Sequence, residues 1–196
     1  MLAHPSVPAS NLADLVALAR ARPGALNFGS GGVGTSLHLA GELLKSTAGI
    51  DITHVPYRGG APALTALMVG DIHMLFDSTA TSIGHIRSGR IKGIAIASRA
   101  RAPALPRLPT FNESGLPGFE VGVVHGVLVP AATSAAVITT LNRAINTALD
   151  DAAYRKQMAD LAVLLVGGTP ERFKSFLAAE RKRWGEIIQK QGIKLN

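Results

Sequence analysis

The segment that decides the fold is Leu26-Asn27-Phe28-Gly29-Ser30-Gly31-Gly32-Val33-Gly34-Thr35-Ser36. Its apolar start predicts a short strand over residues 26–28, and its glycines predict a tight turn over residues 29–34. A helix over residues 35–47 is expected to follow. Backbone N–H groups at the start of a helix, bared by glycine and flanked by the hydroxyls of Thr35 and Ser36, are suited to binding an anion. The alternative is a tight turn before a capped helix, with no ligand.

The alternation of strand and helix continues through the first half of the chain. A helix that starts near Leu12, with Ser10 as its cap, precedes the glycine turn. Short apolar strands that alternate with helices require parallel pairing and crossover connections. The sequence therefore predicts an α/β fold with a parallel-rich sheet flanked by helices. Further strands are predicted at residues 52–55, 72–76 and 91–97, and further helices at residues 61–68 and 81–87.

The C-terminal part of the chain is predicted to be mostly helical, with no sheet of its own to cover. A long, glycine-containing strand over residues 119–129 is expected to cross between two lobes. Helices are predicted at residues 135–149 and 151–159, a short strand at 163–166, and a last helix that begins at Pro170 with Thr169 as its cap. The last helix carries an apolar stripe of Phe173, Phe176, Leu177, Trp184, Ile187 and Ile188.

The composition is that of a folding chain and excludes several kinds of chemistry. The 196 residues are 47% hydrophobic and 17% charged, far from the composition of disordered chains. Without cysteine there are no disulfides, thiolate metal sites or cysteine nucleophiles. Because the net charge is +7, nucleic acid has to be considered as a partner. The few aromatic residues do not interleave with the basic ones, however, so we predict no nucleic acid partner.

Polar residues follow two other predicted strands. Tyr57 comes after the strand at 52–55, and Asp77 and Ser78 come after the strand at 72–76. The carboxyl ends of parallel strands meet at one edge of a sheet, where open α/β sheets bind ligands, so these residues are expected to converge with the glycine turn. His38, on the helix after the turn, is expected to face the same site. The alternative for Asp77 is to cap the helix that follows it.

The spacing Gly29-x-Gly31-x-x-Gly34 also matches the dinucleotide fingerprint, which is weak by itself. That fingerprint needs an acidic residue after the next strand, whereas Asp51 precedes its strand. A nicotinamide-dependent oxidoreductase therefore stays an alternative. The chain has no nucleophile elbow, no histidine pair at metal spacing and no pair of catalytic acids, so it is predicted to be no enzyme and to use no metal or cofactor.

Several motifs, taken in order, resemble the Bug family, the extracytoplasmic solute receptors of tripartite tricarboxylate transporters. The resemblance covers essentially the whole chain, and the order of the motifs makes it more specific than one glycine turn. The motifs are residues 26–43, His54-Val55-Pro56-Tyr57-Arg58-Gly59, Phe76-Asp77, Leu105-Pro106-x-Leu108-Pro109-Thr110, Gly115-Leu116-Pro117-Gly118-Phe119-Glu120 and Gly167-Gly168-Thr169-Pro170-Glu171.

The resemblance implies a periplasmic-binding-protein-like fold of type II, whose two lobes close on a small di- or tricarboxylate or a similar organic acid. Residues 9–121 are expected to form a complete second lobe, and residues 122–196 the C-terminal part of an incomplete first lobe. Membrane permease subunits are the implied partners. The implied location is the periplasm, but a natural chain that begins at Met1 without a signal peptide is expected to be cytoplasmic. The implied ligand-binding residues are Ser30, Gly31, Gly32, Gly34, Thr35, Ser36, His38, Tyr57, Asp77 and Ser78.

The sequence also departs from the family pattern. It starts after the first-lobe section that carries a Tyr-Pro-x-Gly-Gly type loop in the family, and Val124-His125-Gly126 stands where an aromatic residue usually precedes the glycine. Without the first-lobe strands, the apolar stripe of the last helix is expected to be exposed, which favours a homo-oligomer formed through the C-terminal helices. A truncated remnant that self-associates without binding a ligand is therefore a further alternative.

Overall fold

The computed structural model describes residues 1–191, and within them five strands form one mixed sheet. The order across the sheet is β3-β2-β4-β1-β5. The strand β2 pairs in parallel with β3 and β4, as the alternating pattern predicts, whereas β1 pairs antiparallel with β4 and β5. The strands are β1 (Leu2–Ala3), β2 (Asn27–Ser30), β3 (Thr53–Pro56), β4 (Met74–Leu75) and β5 (Lys92–Gly93).

Helices connect the strands and then form the C-terminal part of the chain. The predicted helices are confirmed within one or two residues at most ends, but the cap of the first is Asn11 and not Ser10. The Asn11 side chain accepts a hydrogen bond from the Asp14 amide at 2.9 Å, while the Ser10 amide donates to the Asp14 carboxylate. The helices are α1 (Leu12–Ala21), α2 (Ser36–Ala48), α3 (Gly60–Val69), α4 (Thr79–Arg87), α5 (Ala135–Leu149), α6 (Ala152–Asp160) and α7 (Pro170–Gln191).

The core lies on both faces of the sheet. On one face Phe28 of β2 and Met74 of β4 pack with the apolar sides of α1 and α2, and on the other Leu75 packs with α3. Full burial of an aromatic or aliphatic side chain of this size stabilises the fold by about 1.5–3 kcal/mol. These two apolar layers hold the carboxyl ends of β2, β3 and β4 at one edge, where the helices that follow them begin.

Two predicted strands are wrong, and one strand was not predicted. Residues 119–129 and 163–166 form no strand, because no neighbouring strand in the described residues offers them a backbone partner. Val124 and Val127 are accordingly 52% and 64% exposed. The strands predicted at 72–76 and 91–97 are shorter, with an isolated bridge at Ile96. The unpredicted strand β1 lies inside the sheet, so the sheet includes residues ahead of position 9.

The C-terminal part packs more loosely than the sheet region. Among residues 122–190 none is buried, and Phe176 and Leu177 of the apolar stripe are 39% and 40% exposed. A few contacts join this part to the rest: the Thr79 hydroxyl donates to the Ala162 carbonyl at 3.1 Å, and the Arg183 guanidinium donates to the Glu120 carbonyl. None of the helices in the described range is long and apolar enough to cross a membrane.

Candidate functional site

The glycine turn joins the end of β2 to the start of α2, as the sequence predicts. Thr35 is the N-cap of α2, because its Oγ1 accepts a hydrogen bond from the His38 amide and donates one to the Gly32 carbonyl at 2.8 Å. Gly32 and Gly34 have φ angles of 131° and 79°, which side chains with a β carbon rarely adopt. The turn therefore needs glycine at these two positions to reach its shape.

Some amides of the turn are satisfied internally and others are not. Three are: Gly32 N–H donates to Ser30 Oγ, Gly34 N–H to His38 Nδ1 and Thr35 N–H to the Gly32 carbonyl. Within the described part of the chain, four amides have no protein partner. They belong to Gly31, Val33, Ser36 and Leu37. The start of α2 thus presents several free donors at the positive end of a helix dipole, the arrangement that binds anions.

Backbone hydrogen bonds join the turn to the loop that precedes α3. Tyr57 N–H donates to the Ser30 carbonyl at 3.0 Å, and Gly59 N–H donates to the Gly31 carbonyl at 3.2 Å. A β carbon at Gly31 would come within 3.1 Å of the backbone of Gly59 and Gly60. The predicted neighbourhood of the turn and Tyr57 is therefore present, and the two loops approach as closely as their backbones allow.

Asp77 and Ser78 follow β4 on the same side. Ser78 caps α4 by accepting a hydrogen bond from the Ala80 amide, and Asp77 accepts one from the Thr81 hydroxyl at 2.7 Å. The other Asp77 oxygen lies 3.9 Å from where a β carbon of Gly60 would stand. Burial raises the pKa of the Asp77 carboxyl, although these hydrogen bonds act against the rise. The structure thus brings Asp77 close to the loop that carries Gly59 and Gly60.

Two predicted site residues lie under the turn. Ser30 is fully buried, and its Oγ is 2.7 Å from His54 Nε2 while it also bonds Gly32. His38 is 5% exposed, and its Nδ1 is occupied by the Gly34 amide. Both side chains therefore support the backbone of the turn, and the donors at the site that lack a protein partner in the described residues include backbone amides.

An open depression in the described surface lies elsewhere. It has a volume of about 700 Å³ and runs along α7, where Leu177, Arg181 and Gly185 line it. Every residue of its wall belongs to that one helix, and a single helix cannot surround a ligand. The arrangement at the glycine turn, where three helices begin beside three strand ends, is the better candidate for a binding site.

The sequence matches one known protein family over nearly its whole length. The profile described as the tripartite tricarboxylate transporter family receptor, TctC, matches residues 1–193. The chain belongs to the TctC receptor family. The predicted resemblance to solute receptors is therefore confirmed, and at the level of the family these proteins are receptors and not enzymes.

Relatives of known sequence or structure agree with the TctC family. A protein of Pseudomonas sp. strain P51, the UPF0065 protein in the tcbD-tcbE intergenic region, is 36% identical over 95% of this chain and 56% of its own length. Three solved structures are also similar to this chain. Rpa4515 of R. palustris with adipate is 32% identical, with a TM-score of 0.89. The periplasmic binding protein BugD and MatC from Rhodopseudomonas palustris with bound malate are each 30% identical, with TM-scores of 0.90 and 0.86.

The alignments with these TctC relatives cover nearly all of this chain but only part of each relative. The alignments with the three structures cover 98%, 98% and 95% of this chain, but only 64%, 65% and 65% of those chains. The chain spans about half to two thirds of the length of these relatives. The α/β periplasmic-binding-protein fold is therefore shown for this part, with a mixed sheet.

One supporting residue was missed by sequence reasoning. His54 lies opposite Phe28 in the β2–β3 register, and its ring stacks on His38 with 3.9 Å between ring centroids. Burial, with smaller effects of His38 and Lys45, lowers the pKa of His54 to about 4. The available signal was its place in the middle of the short strand after the turn, where the side chain of residue 54 faces a neighbour in the adjacent strand.

Proposed function

We propose that this TctC chain is the ligand-holding part of an extracytoplasmic solute-binding protein that binds a small carboxylate at the glycine turn. The observation that carries the proposal is the set of unpartnered amides of Gly31, Val33, Ser36 and Leu37 at the start of α2. A carboxylate gains about 0.3–2 kcal/mol from such a helix end. Hydrogen bonds to a charged group contribute about 1.5–3 kcal/mol each.

The class of ligand is supported by relatives. The R. palustris proteins are solved with adipate and with malate, which are both dicarboxylates. We therefore propose a dicarboxylate or a similar organic acid for this chain. Backbone donors recognise the negative oxygens and not the carbon skeleton, so the turn selects the class of ligand more than the individual acid.

The proposed roles of the predicted site residues differ. Gly31, Gly32, Gly34 and Ser36 form or expose the amides, while Ser30, Thr35 and His38 shape the turn from beneath or beside it. The backbone amide of Tyr57 joins the neighbouring loop to the turn through its hydrogen bond to the Ser30 carbonyl. Asp77 and Ser78 lie at the start of α4, where the raised pKa of Asp77 suits it to exchange a hydrogen bond with a ligand hydroxyl or a bound water.

The proposed architecture follows the TctC family. Residues 9–121 correspond to the second lobe, with β1 completing its sheet, and residues 122–196 to a part of the first lobe. A periplasmic location and delivery of the ligand to membrane permease subunits belong to the same proposal. Because the chain spans less than two thirds of the solved relatives, a two-sided cleft needs more chain than the residues described.

The test removes one amide donor without breaking the helix. Ser36 is the first residue of α2, and proline is well accepted at that position, so Ser36→Pro deletes its N–H and keeps the helix. We expect the dissociation constants for malate and adipate, measured by isothermal titration calorimetry, to rise about tenfold. Ser36→Ala controls for the lost hydroxyl.

A matched proline controls for the fold. Ala135 is the first residue of α5 and lies far from the turn in sequence. Its cap Ser134 accepts from the amide three residues on, as Thr35 does in α2, so Ala135→Pro should leave binding unchanged. The dimethyl esters of the two acids, which lack the charge, should not bind. A folded wild-type chain that binds neither acid would contradict the proposal, and native mass spectrometry would then show whether it self-associates. Retention of a nicotinamide cofactor would favour the oxidoreductase alternative.

A further inference from the structure

Two imidazole rings meet directly beneath the glycine turn. The ring centroids of His38 and His54 lie 3.9 Å apart at an angle of 27° between planes, and Phe28 packs against His54 with centroids 5.0 Å apart. His38 belongs to the first turn of α2, and His54 to β3. The stack therefore joins three elements, β2, β3 and α2, at the point where the turn leaves the sheet.

Each ring holds one end of the turn. On the helix side, Gly34 N–H donates to His38 Nδ1 at 3.1 Å. On the strand side, His54 Nε2 lies 2.7 Å from Ser30 Oγ, and the same Oγ accepts from Gly32 N–H at 3.1 Å. Gly32 and Gly34 are the two turn residues with positive φ, so the imidazoles act on the positions at which the chain direction is set.

We propose that His38 and His54 are positioning residues whose neutral rings hold the glycine turn in the shape that exposes its free amides to a carboxylate. The inference rests on the proposed function, because it concerns the same site. Neither ring needs to touch the ligand, since His38 is 5% exposed and its Nδ1 is already occupied by Gly34.

The hydrogen bond from Gly34 requires the His38 ring to be uncharged. An N–H group can donate only to a nitrogen with a free lone pair, so His38 Nδ1 must be unprotonated to accept from Gly34. On a cationic ring, an N–H on Nδ1 would face the N–H of Gly34. Two cationic rings 3.9 Å apart would also repel each other strongly in a buried place.

The surrounding charges do not compensate for protonation. Glu42 Oε1 lies 3.8 Å from His38 Nε2, but the same carboxylate is paired with Lys45 Nζ at 3.0 Å. Burial lowers the pKa of His38, and burial lowers the pKa of His54 to about 4 with help from His38 and Lys45. The turn should therefore keep its shape at neutral pH and loosen in acid.

Polar and apolar variants separate positioning from packing. Asparagine places its oxygen near the position of Nδ1, and glutamine places its amide near the position of Nε2, so His38→Asn and His54→Gln keep the hydrogen bonds. His38→Leu and His54→Leu fill the space without them. We expect the leucine variants to raise the dissociation constants for malate and adipate at pH 7.5 about tenfold, and the polar variants to change them less than about threefold.

A ligand-free measurement tests the turn itself. In a pH titration followed by NMR, the amide signals of Gly34 and Gly32 should move with the protonation of the histidine rings in the wild type. In the His38→Asn/His54→Gln double variant they should not. The carboxylates of the probe acids titrate in a similar range, so for acid-dependent binding the quantity compared is the ratio of wild-type to double-variant dissociation constants.

The outcomes are distinguishable from failure of the proposed function. If the wild type binds neither acid but the Gly34 signal follows ring protonation, the binding proposal fails and positioning of the turn stands. If the Gly34 and Gly32 signals ignore ring protonation, the positioning role is overturned, whether or not the acids bind. Wild-type affinity in folded leucine variants overturns it equally.

Discussion

The ring of Phe28 occupies the space that a side chain at Gly41 would need. A β carbon built at Gly41 would lie inside van der Waals distance of three atoms of that ring. Phe28 is fully buried and carries the stack of His54 and His38. The missing side chain of Gly41 therefore lets α2 approach β2 closely enough for the turn between them to be short.

A substitution at Gly41 should destabilise the fold. We expect Gly41→Ala to lower the free energy of unfolding by about 1–3 kcal/mol, because the ring of Phe28 is fully buried and has no free space to move into. Gly84 in α4 is the control, since a β carbon there meets nothing within 4 Å. Gly84→Ala should stabilise by about 0.5–1 kcal/mol through helix propensity. Urea denaturation measures both; equal effects of the same sign would refute the packing argument.

The cap of α1 offers a test of a corrected prediction. Asn11→Ala should cost about 1 kcal/mol of stability, because the Asp14 amide loses its acceptor. Ser10→Ala should cost little, since Ser10 contributes only its backbone N–H to the Asp14 carboxylate. Thermal unfolding of the two variants compares the positions directly. A larger loss for Ser10→Ala would support the cap expected from sequence.

Stability should depend on pH through His54. Its pKa is about 4 in the folded chain and 6.5 when unperturbed, so between these values the unfolded chain binds more protons. The contribution of His54 to the free energy of unfolding should therefore decrease as the pH falls from 6.5 to 4. Urea titrations at several pH values should show a shallower decrease in His54→Gln than in the wild type. Identical slopes would show that His54 does not titrate this way.

The partly buried carboxyl of Asp77 should show the opposite dependence. Burial raises its pKa above the ordinary 3.8, so the folded chain binds this proton more tightly than the unfolded chain does. Its stabilising contribution is complete at low pH and is lost as the pH rises through the folded pKa. Relative to Asp77→Asn, the wild type should thus gain stability on acidification. Denaturation of both proteins at pH 4 and pH 8 provides the comparison.

Sequence reasoning succeeded where one local signal decided the structure. The strand, glycine turn and helix over residues 26–48 are all found, because apolar residues, glycines and a capping threonine each favour the same conformation. The helix α5 was predicted to the residue, since Ser134 caps an amphipathic pattern. The edge shared by the turn, Tyr57 and Asp77 followed from parallel pairing alone.

Sequence reasoning failed where strand pairing depends on residues far apart in the sequence. Residues 119–129 have the composition of a strand, but a strand needs a paired neighbour, and in the described residues the segment has one bond of that kind, from the Val121 amide to the Ala97 carbonyl, and no strand ladder. The two-residue strand β1 is too short to show a period. His54 was quoted within a family motif but given no role, because its hydrogen bond with the Ser30 hydroxyl arises only when β2 and β3 pair.

The position of β1 has a consequence for how the chain folds. Leu2 is synthesised well before its partners Leu75 and Gly93. Leu2 and Ala3 can therefore pair only after β4 and β5 have been synthesised. Pairing between residues so far apart in sequence slows folding.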